Sequence, residues 1–116
     1  MTITRIGVGA RMSKAVVHND TVYLAGQVAD KTAGESVAEQ TREIVGIIDQ
    51  LLAEAGSDKT KMLSATIYLA DIKTFPEMNG VWDTWVVQGH TPARATVEAK
   101  LAAPQYTVEI AVIAAK

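Results

Sequence analysis

Two short β-rich runs, Lys14–His18 and Thr21–Ala25, flank Asn19-Asp20, a dipeptide that tolerates the positive φ of a tight two-residue turn, and together they predict a β-hairpin. The period then changes. Between Glu35 and Ala55 apolar residues recur at Val37, Ile44, Ile48, Leu51, Leu52 and Ala55, the three-to-four spacing of one helical stripe, with Gly56 where a left-handed cap belongs. Met62–Leu69 is a short apolar run centred on Thr66, Ile67 and Tyr68, which suits a buried strand better than a helix. Thr74 stands three residues before Glu77 with Pro76 between them, the spacing of a capping box, and opens a helix through Met78, Val81, Trp82 and Trp85 to Gly89. Ala93–Ala99 and Tyr106–Ala114 read as two further strands. The second alternates Tyr106, Val108, Ile110 and Val112 on one face against Thr107, Glu109, Ala111 and Ile113 on the other.

The element order is therefore ββαβαββ, an α+β class in which one mixed sheet carries both helices on one face. Nothing in the sequence supplies a third layer for the other face. A broad apolar sheet surface would stand in water, and self-association into a closed oligomer is the natural way to cover it.

Composition narrows the function classes. Residues 1–116 read as a single domain, 48% hydrophobic and 21% charged, with the make-up of an ordinary globular protein. A net charge of -2 gives no electrostatic grip on nucleic acid, and the absence of cysteine excludes disulfides, thiolate nucleophiles and iron–sulfur clusters. No charged and apolar leader follows Met1 and no apolar run is long enough to cross a bilayer, so the expectation is a soluble, cytoplasmic protein without membrane contact.

Few residues offer chemistry. His18 and His90 are too few and too irregularly spaced for a metal site and read as exposed loop residues, so no metal is expected. Phosphate-binding glycine loops are missing, and Ser13, Ser36, Ser57 and Ser64 lack a nucleophile elbow. Trp82 and Trp85 are at helical spacing and read as core. Two charges inside apolar strands stand out, Arg94 after Thr91-Pro92-Ala93 and Glu109 between Val108 and Ile110. Each either points to solvent at a sheet edge or faces a functional cleft. In the second case the planar fork of Arg94 suits a carboxylate, held by an arginine with no internal partner.

Pro92-Ala93-Arg94-Ala95-Thr96-Val97-Glu98 followed by Val108-Glu109-Ile110, with Ala25-Gly26-Gln27 after the first hairpin and the Asn79 helix ahead of the Pro-Ala-Arg segment, resembles the Rid family. These are the reactive intermediate deaminases, formerly grouped as translation inhibitors or L-PSP endoribonucleases, and the resemblance covers nearly the whole chain. It implies a chorismate-mutase-like fold and a homotrimer with a central barrel and clefts between neighbouring subunits. It also implies hydrolysis of 2-imino acids and their enamine tautomers to 2-keto acids and ammonia, without metal or organic cofactor. Carried over by position, Arg94 clamps the substrate carboxylate, Gly26 and the Thr96 backbone line the cleft, and Glu109 orients the attacking water. The sequence departs from the family at Ala10-Arg11-Met12-Ser13, where the best-known members have Gly-Pro-Tyr. Met12 falls at or near the tyrosine's place, and Arg11 reads either as a second cleft charge or as a solvated residue. The alternative to a deaminase is a non-catalytic binder or regulator that recognises a small carboxylate ligand in the same cleft. A ribonuclease, the older family reading, fits poorly with the charge.

Overall fold

The computed structural model describes residues 2–116. The chain forms β1 (Ile3–Val8), β2 (Ser13–His18), β3 (Thr21–Leu24), α1 (Val37–Glu54), β4 (Met62–Leu69), α2 (Phe75–Trp85), β5 (Ala93–Glu98) and β6 (Val108–Ala115), with short 3-10 turns before β4 and α2. The α+β class and the order ββαβαββ hold from Ser13 onward, and one strand, β1, precedes it. That strand is an outer strand whose residues are exposed except for the half-buried Ile6, so it carries no apolar stripe for pattern reading to find.

The six strands make one sheet in the order β1-β2-β3-β6-β4-β5. All pairs are antiparallel except β4 with β5, which are parallel and joined through α2 as a parallel pair requires. Asn19 adopts the left-handed conformation (φ 55°) in the turn that pairs His18 with Thr21. One face of the sheet is buried: Ala15, Val17, Val22, Leu24, Ala65, Ile67, Leu69, Val108, Ile110, Val112 and Ala114 pack with Ile44, Ile48 and Leu52 of α1 and Met78, Trp82 and Trp85 of α2. Both helices therefore cover the same face. On the other face the register sets Arg5, Val16, Tyr23, Ile113, Ser64 and Ala93 in one row across all six strands, and neither helix covers it.

Helix α1 begins at Ser36, whose hydroxyl accepts from the Glu39 N–H at 3.2 Å. It ends where Gly56 turns left-handed (φ 82°): the N–H of Gly56 donates to the Ala53 carbonyl and that of Ser57 to the Leu52 carbonyl, a Schellman pair. Helix α2 differs from expectation at both ends. Thr74 makes no side-chain cap, and Glu77 instead accepts from the Ala38 N–H at 2.9 Å, capping the neighbouring helix. Val86 turns extended (φ -64°, ψ 151°), so the helix stops at Trp85 rather than reaching Gly89.

The last strand starts at Val108 because Gln40 holds the residues before it as a loop. Fully buried on α1, Gln40 donates to the carbonyls of Glu35 (3.0 Å) and Gln105 (2.9 Å) and accepts from the Thr107 N–H (2.9 Å).

Candidate functional site

Arg94 lies on β5 opposite Ala65 of β4, which puts its side chain on the helix-covered face of the sheet edge. There it meets α2. Its Nη1 donates to the Asn79 side-chain oxygen at 2.8 Å, and its guanidinium carbon stands 5.5 Å from the Phe75 ring centre and 5.4 Å from that of Trp82. The arginine thus has an internal partner and an aromatic seat, which corrects the sequence expectation of an arginine standing free of both. Among the described residues no carboxylate lies within ion-pair distance of it, and the ion pair found joins Arg42 and Glu39 on the surface of α1. A half-buried guanidinium with one neutral acceptor keeps its full charge and most of its five donors for something else.

Thr96 follows two residues on, with its side chain on the same face. The Ala99 N–H donates to Leu69 of β4 (2.9 Å), so the alternation of backbone groups turns the N–H groups of Arg94 and Thr96 outward, to the free edge. The Thr96 hydroxyl itself is buried and has no hydrogen-bond partner.

Glu109 lies elsewhere. On β6 its neighbours Val108 and Ile110 point into the core, so Glu109 is on the open face, beside Tyr68 of β4. Gln27 and Ile110 exchange backbone hydrogen bonds (2.8 and 3.1 Å), which lays Ala25-Gly26-Gln27 along the start of β6. A Cβ on Gly26 would come within 2.2 Å of a Glu109 carboxylate oxygen, so the glycine is what allows the carboxylate to lie over this backbone. Met12, 55% exposed, ends the turn between β1 and β2 at the same end of the sheet, two residues before Lys14, whose carbonyl accepts from Ala25.

Within one chain, then, the structure brings Gly26 to Glu109 and sets Met12 nearby, and separately gathers Arg94 and Thr96 at the β5 edge. Arg94 and Glu109 are two strands and three residues apart, about 14 Å, on opposite faces. A surface cavity of about 480 Å³ along Glu98–Pro104 and Tyr106 includes none of these five residues.

Other candidates fall into structural places. His18 is half-buried at the end of β2 rather than in a loop, and His90 is exposed. Among the described residues no three His, Asp or Glu side chains come together as metal ligands would. Trp82 and Trp85 are core, ring centres 5.2 Å apart, but Trp82 also seats Arg94. Phe75 and Trp82 were not legible as site residues from the sequence alone; the signal is the spacing Phe75, Asn79, Trp82, which lines one side of α2.

The family model described as Endoribonuclease L-PSP matches residues 2–116. A RutC family protein of Haemophilus influenzae is 50% identical over 114 residues, covering 98% of each chain. The crystal structure of a YjgF-family protein from Neisseria meningitidis superposes with a TM-score of 0.96 at 50% identity, covering 100% of this chain and 96% of the other. At greater distance, the rat 2-iminobutanoate/2-iminopropanoate deaminase is 33% identical over 107 residues, 88% of this chain and 77% of that protein.

Proposed function

The chain belongs to the Endoribonuclease L-PSP family, and from that membership and the Arg94 edge we propose that it hydrolyses small 2-imino acids to 2-keto acids and ammonia. The observation that carries the reading is the guanidinium itself, seated over two rings, bonded to one neutral amide and, among the described residues, left without a carboxylate of its own. Such a group is a receptor for a planar anion. The relation to a rat protein named as a 2-imino acid deaminase supplies the substrate class.

In this scheme Arg94 takes the substrate carboxylate through two parallel N–H bonds, with the Thr96 backbone N–H on the same edge. The imine carbon is already electrophilic, so positioning supplies much of the rate and no strong nucleophile is required. Water adds to that carbon as Glu109 accepts its proton. From the protonated imine this gives a tetrahedral carbinolamine; Glu109 returns the proton to its nitrogen, then takes the hydroxyl proton as the C=O bond forms and the C–N bond breaks, and ammonia leaves with the keto acid behind. Because Arg94 and Glu109 lie on opposite faces of one sheet, the complete site takes Arg94 and Thr96 from one subunit and Gly26, Glu109 and Met12 from the next. The oligomer is then a homotrimer closed by the open sheet faces.

The second reading, a binder of small carboxylates without turnover, is favoured by Met12, an exposed thioether at or near the place where the best-known members have a proton-bearing tyrosine. Imino acids generated in situ by an amino-acid oxidase separate the two. Faster keto-acid release with the protein present, lost in Arg94→Lys, supports the deaminase; saturable 2-ketobutyrate binding without acceleration supports the binder.

A further inference from the structure

We propose that Asn79 is the positioning residue of the Arg94 receptor, holding the guanidinium in its binding orientation before any ligand arrives while leaving its charge unneutralised. The proposal rests on the reading of Arg94 as a carboxylate receptor. Phe75, Asn79 and Trp82 are four and three residues apart, so they form one stripe of α2, and all three touch the same guanidinium. The stripe is itself anchored. Trp82 is buried against Trp85, whose ring N–H donates to Asp49 of α1 at 3.0 Å. The two rings, with centres 5.5 and 5.4 Å from the guanidinium carbon, attract the cation without fixing the direction of any N–H. The one directional contact is the bond from Nη1 to the Asn79 oxygen at 2.8 Å.

The chemistry of the acceptor matters as much as its place. A carboxylate at this position would hold the arginine more tightly and cancel the charge that a ligand must find. An amide oxygen holds it without doing so. Fixing a long, rotamer-rich side chain in advance also lowers the ordering cost of binding.

The test compares wild type with Asn79→Ala, Asn79→Ser, Asn79→Asp and Arg94→Ala, using calorimetric titration of 2-ketobutyrate, thermal melts, and arginine side-chain ¹⁵N NMR of the ligand-free proteins. Asn79→Ala and Asn79→Ser should bind roughly tenfold more weakly, the scale of one lost preorganising hydrogen bond, with little change in melting. Asn79→Asp should melt at the same or a higher temperature yet lose binding further, because the new carboxylate occupies the receptor. A merely structural Asn79 would not separate stability from binding in this way. Rotation of the Arg94 guanidinium should be hindered in wild type and averaged in Asn79→Ala. Unchanged rotation, or equal affinity in wild type and the Asn79 variants, overturns the positioning role. Hindered rotation in a wild type that binds no more 2-ketobutyrate than Arg94→Ala does would instead overturn the carboxylate reading on which the proposal rests.

Discussion

At the scale of single residues, the Gly26–Glu109 contact gives the sharpest test of the acid–base role. Glu109→Gln keeps the shape of the side chain and removes its proton acceptor. Turnover should fall roughly 100-fold with 2-ketobutyrate affinity retained, measured by coupled keto-acid release and calorimetry. Gly26→Ala places a methyl 2.2 Å from the carboxylate oxygen, so the glutamate must move. Its effect on rate should be large in the wild-type background and slight on top of Glu109→Gln, since both act through one group. Additive losses would show that Gly26 acts on something other than Glu109. Both residues were legible in the sequence, Glu109 as a charge in an apolar strand and Gly26 by resemblance. Their contact was not, because residues 83 positions apart meet only through the pairing of Gln27 with Ile110. The seat of Arg94 escaped for a related reason: Trp82 looks like any core aromatic until the strand that faces it is known.

Among the elements, the long loop from β3 to α1 is held by side chains that no local pattern reveals. Glu43 of α1 accepts from the Thr32 N–H (2.8 Å) and hydroxyl (2.7 Å) and from the Lys31 N–H (3.2 Å). Partial burial pushes its carboxyl upward, but the Thr32 hydroxyl, the two backbone N–H groups and the Lys31 charge together outweigh it, and the carboxyl titrates below its ordinary value. A lowered folded-state pKa contributes stability that is complete above the ordinary carboxylate range and is lost as pH falls through the lowered value. Glu43→Gln should therefore melt below wild type at pH 7, with the difference closing as pH falls below about 4. A difference independent of pH would assign the effect to packing rather than charge. Gln40 is the stronger clamp, since Gln40→Ala leaves the Glu35 carbonyl and the Thr107 N–H without their partner and takes from the Gln105 carbonyl one of its two donors, the other being the Gly34 N–H. A loss on the order of 2–4 kcal/mol is expected from chemical denaturation, larger than for an exposed position. The helical stripe of α1 and its Gly56 cap were readable because they are local. The capping at the start of α2 and the start of β6 were not, because Glu77 is used by the other helix and the residues before Val108 are held by Gln40, far away in sequence.

For the whole molecule, the uncovered sheet face and the division of the site make the same demand. Tyr23 and Ile113 are 45% and 37% exposed in one row that crosses all six strands, an apolar strip that a single chain leaves in water. Sedimentation equilibrium should find a trimer, and Ile113→Asp should shift it toward monomer with loss of turnover although Ile113 touches no proposed ligand. The uncovered face was foreseeable from two helices and one sheet. A cleft between subunits was implied by the resemblance, but which residues each subunit would bring to it was not, since that depends on which face each strand residue takes. The division of the site leads to a complementation experiment. Arg94→Ala and Glu109→Gln subunits, each expected to have lost nearly all turnover alone, can be co-expressed with different tags and purified as mixed trimers. If every site takes Arg94 from one chain and Glu109 from its neighbour, each mixed trimer, of either two-to-one composition, rebuilds one intact site of its three, so about a third of wild-type turnover returns. If both residues served one site from the same chain, no interface in the mixture would hold a complete pair. Confirmed mixed trimers without recovered activity would then show that the two halves do not meet across the interface.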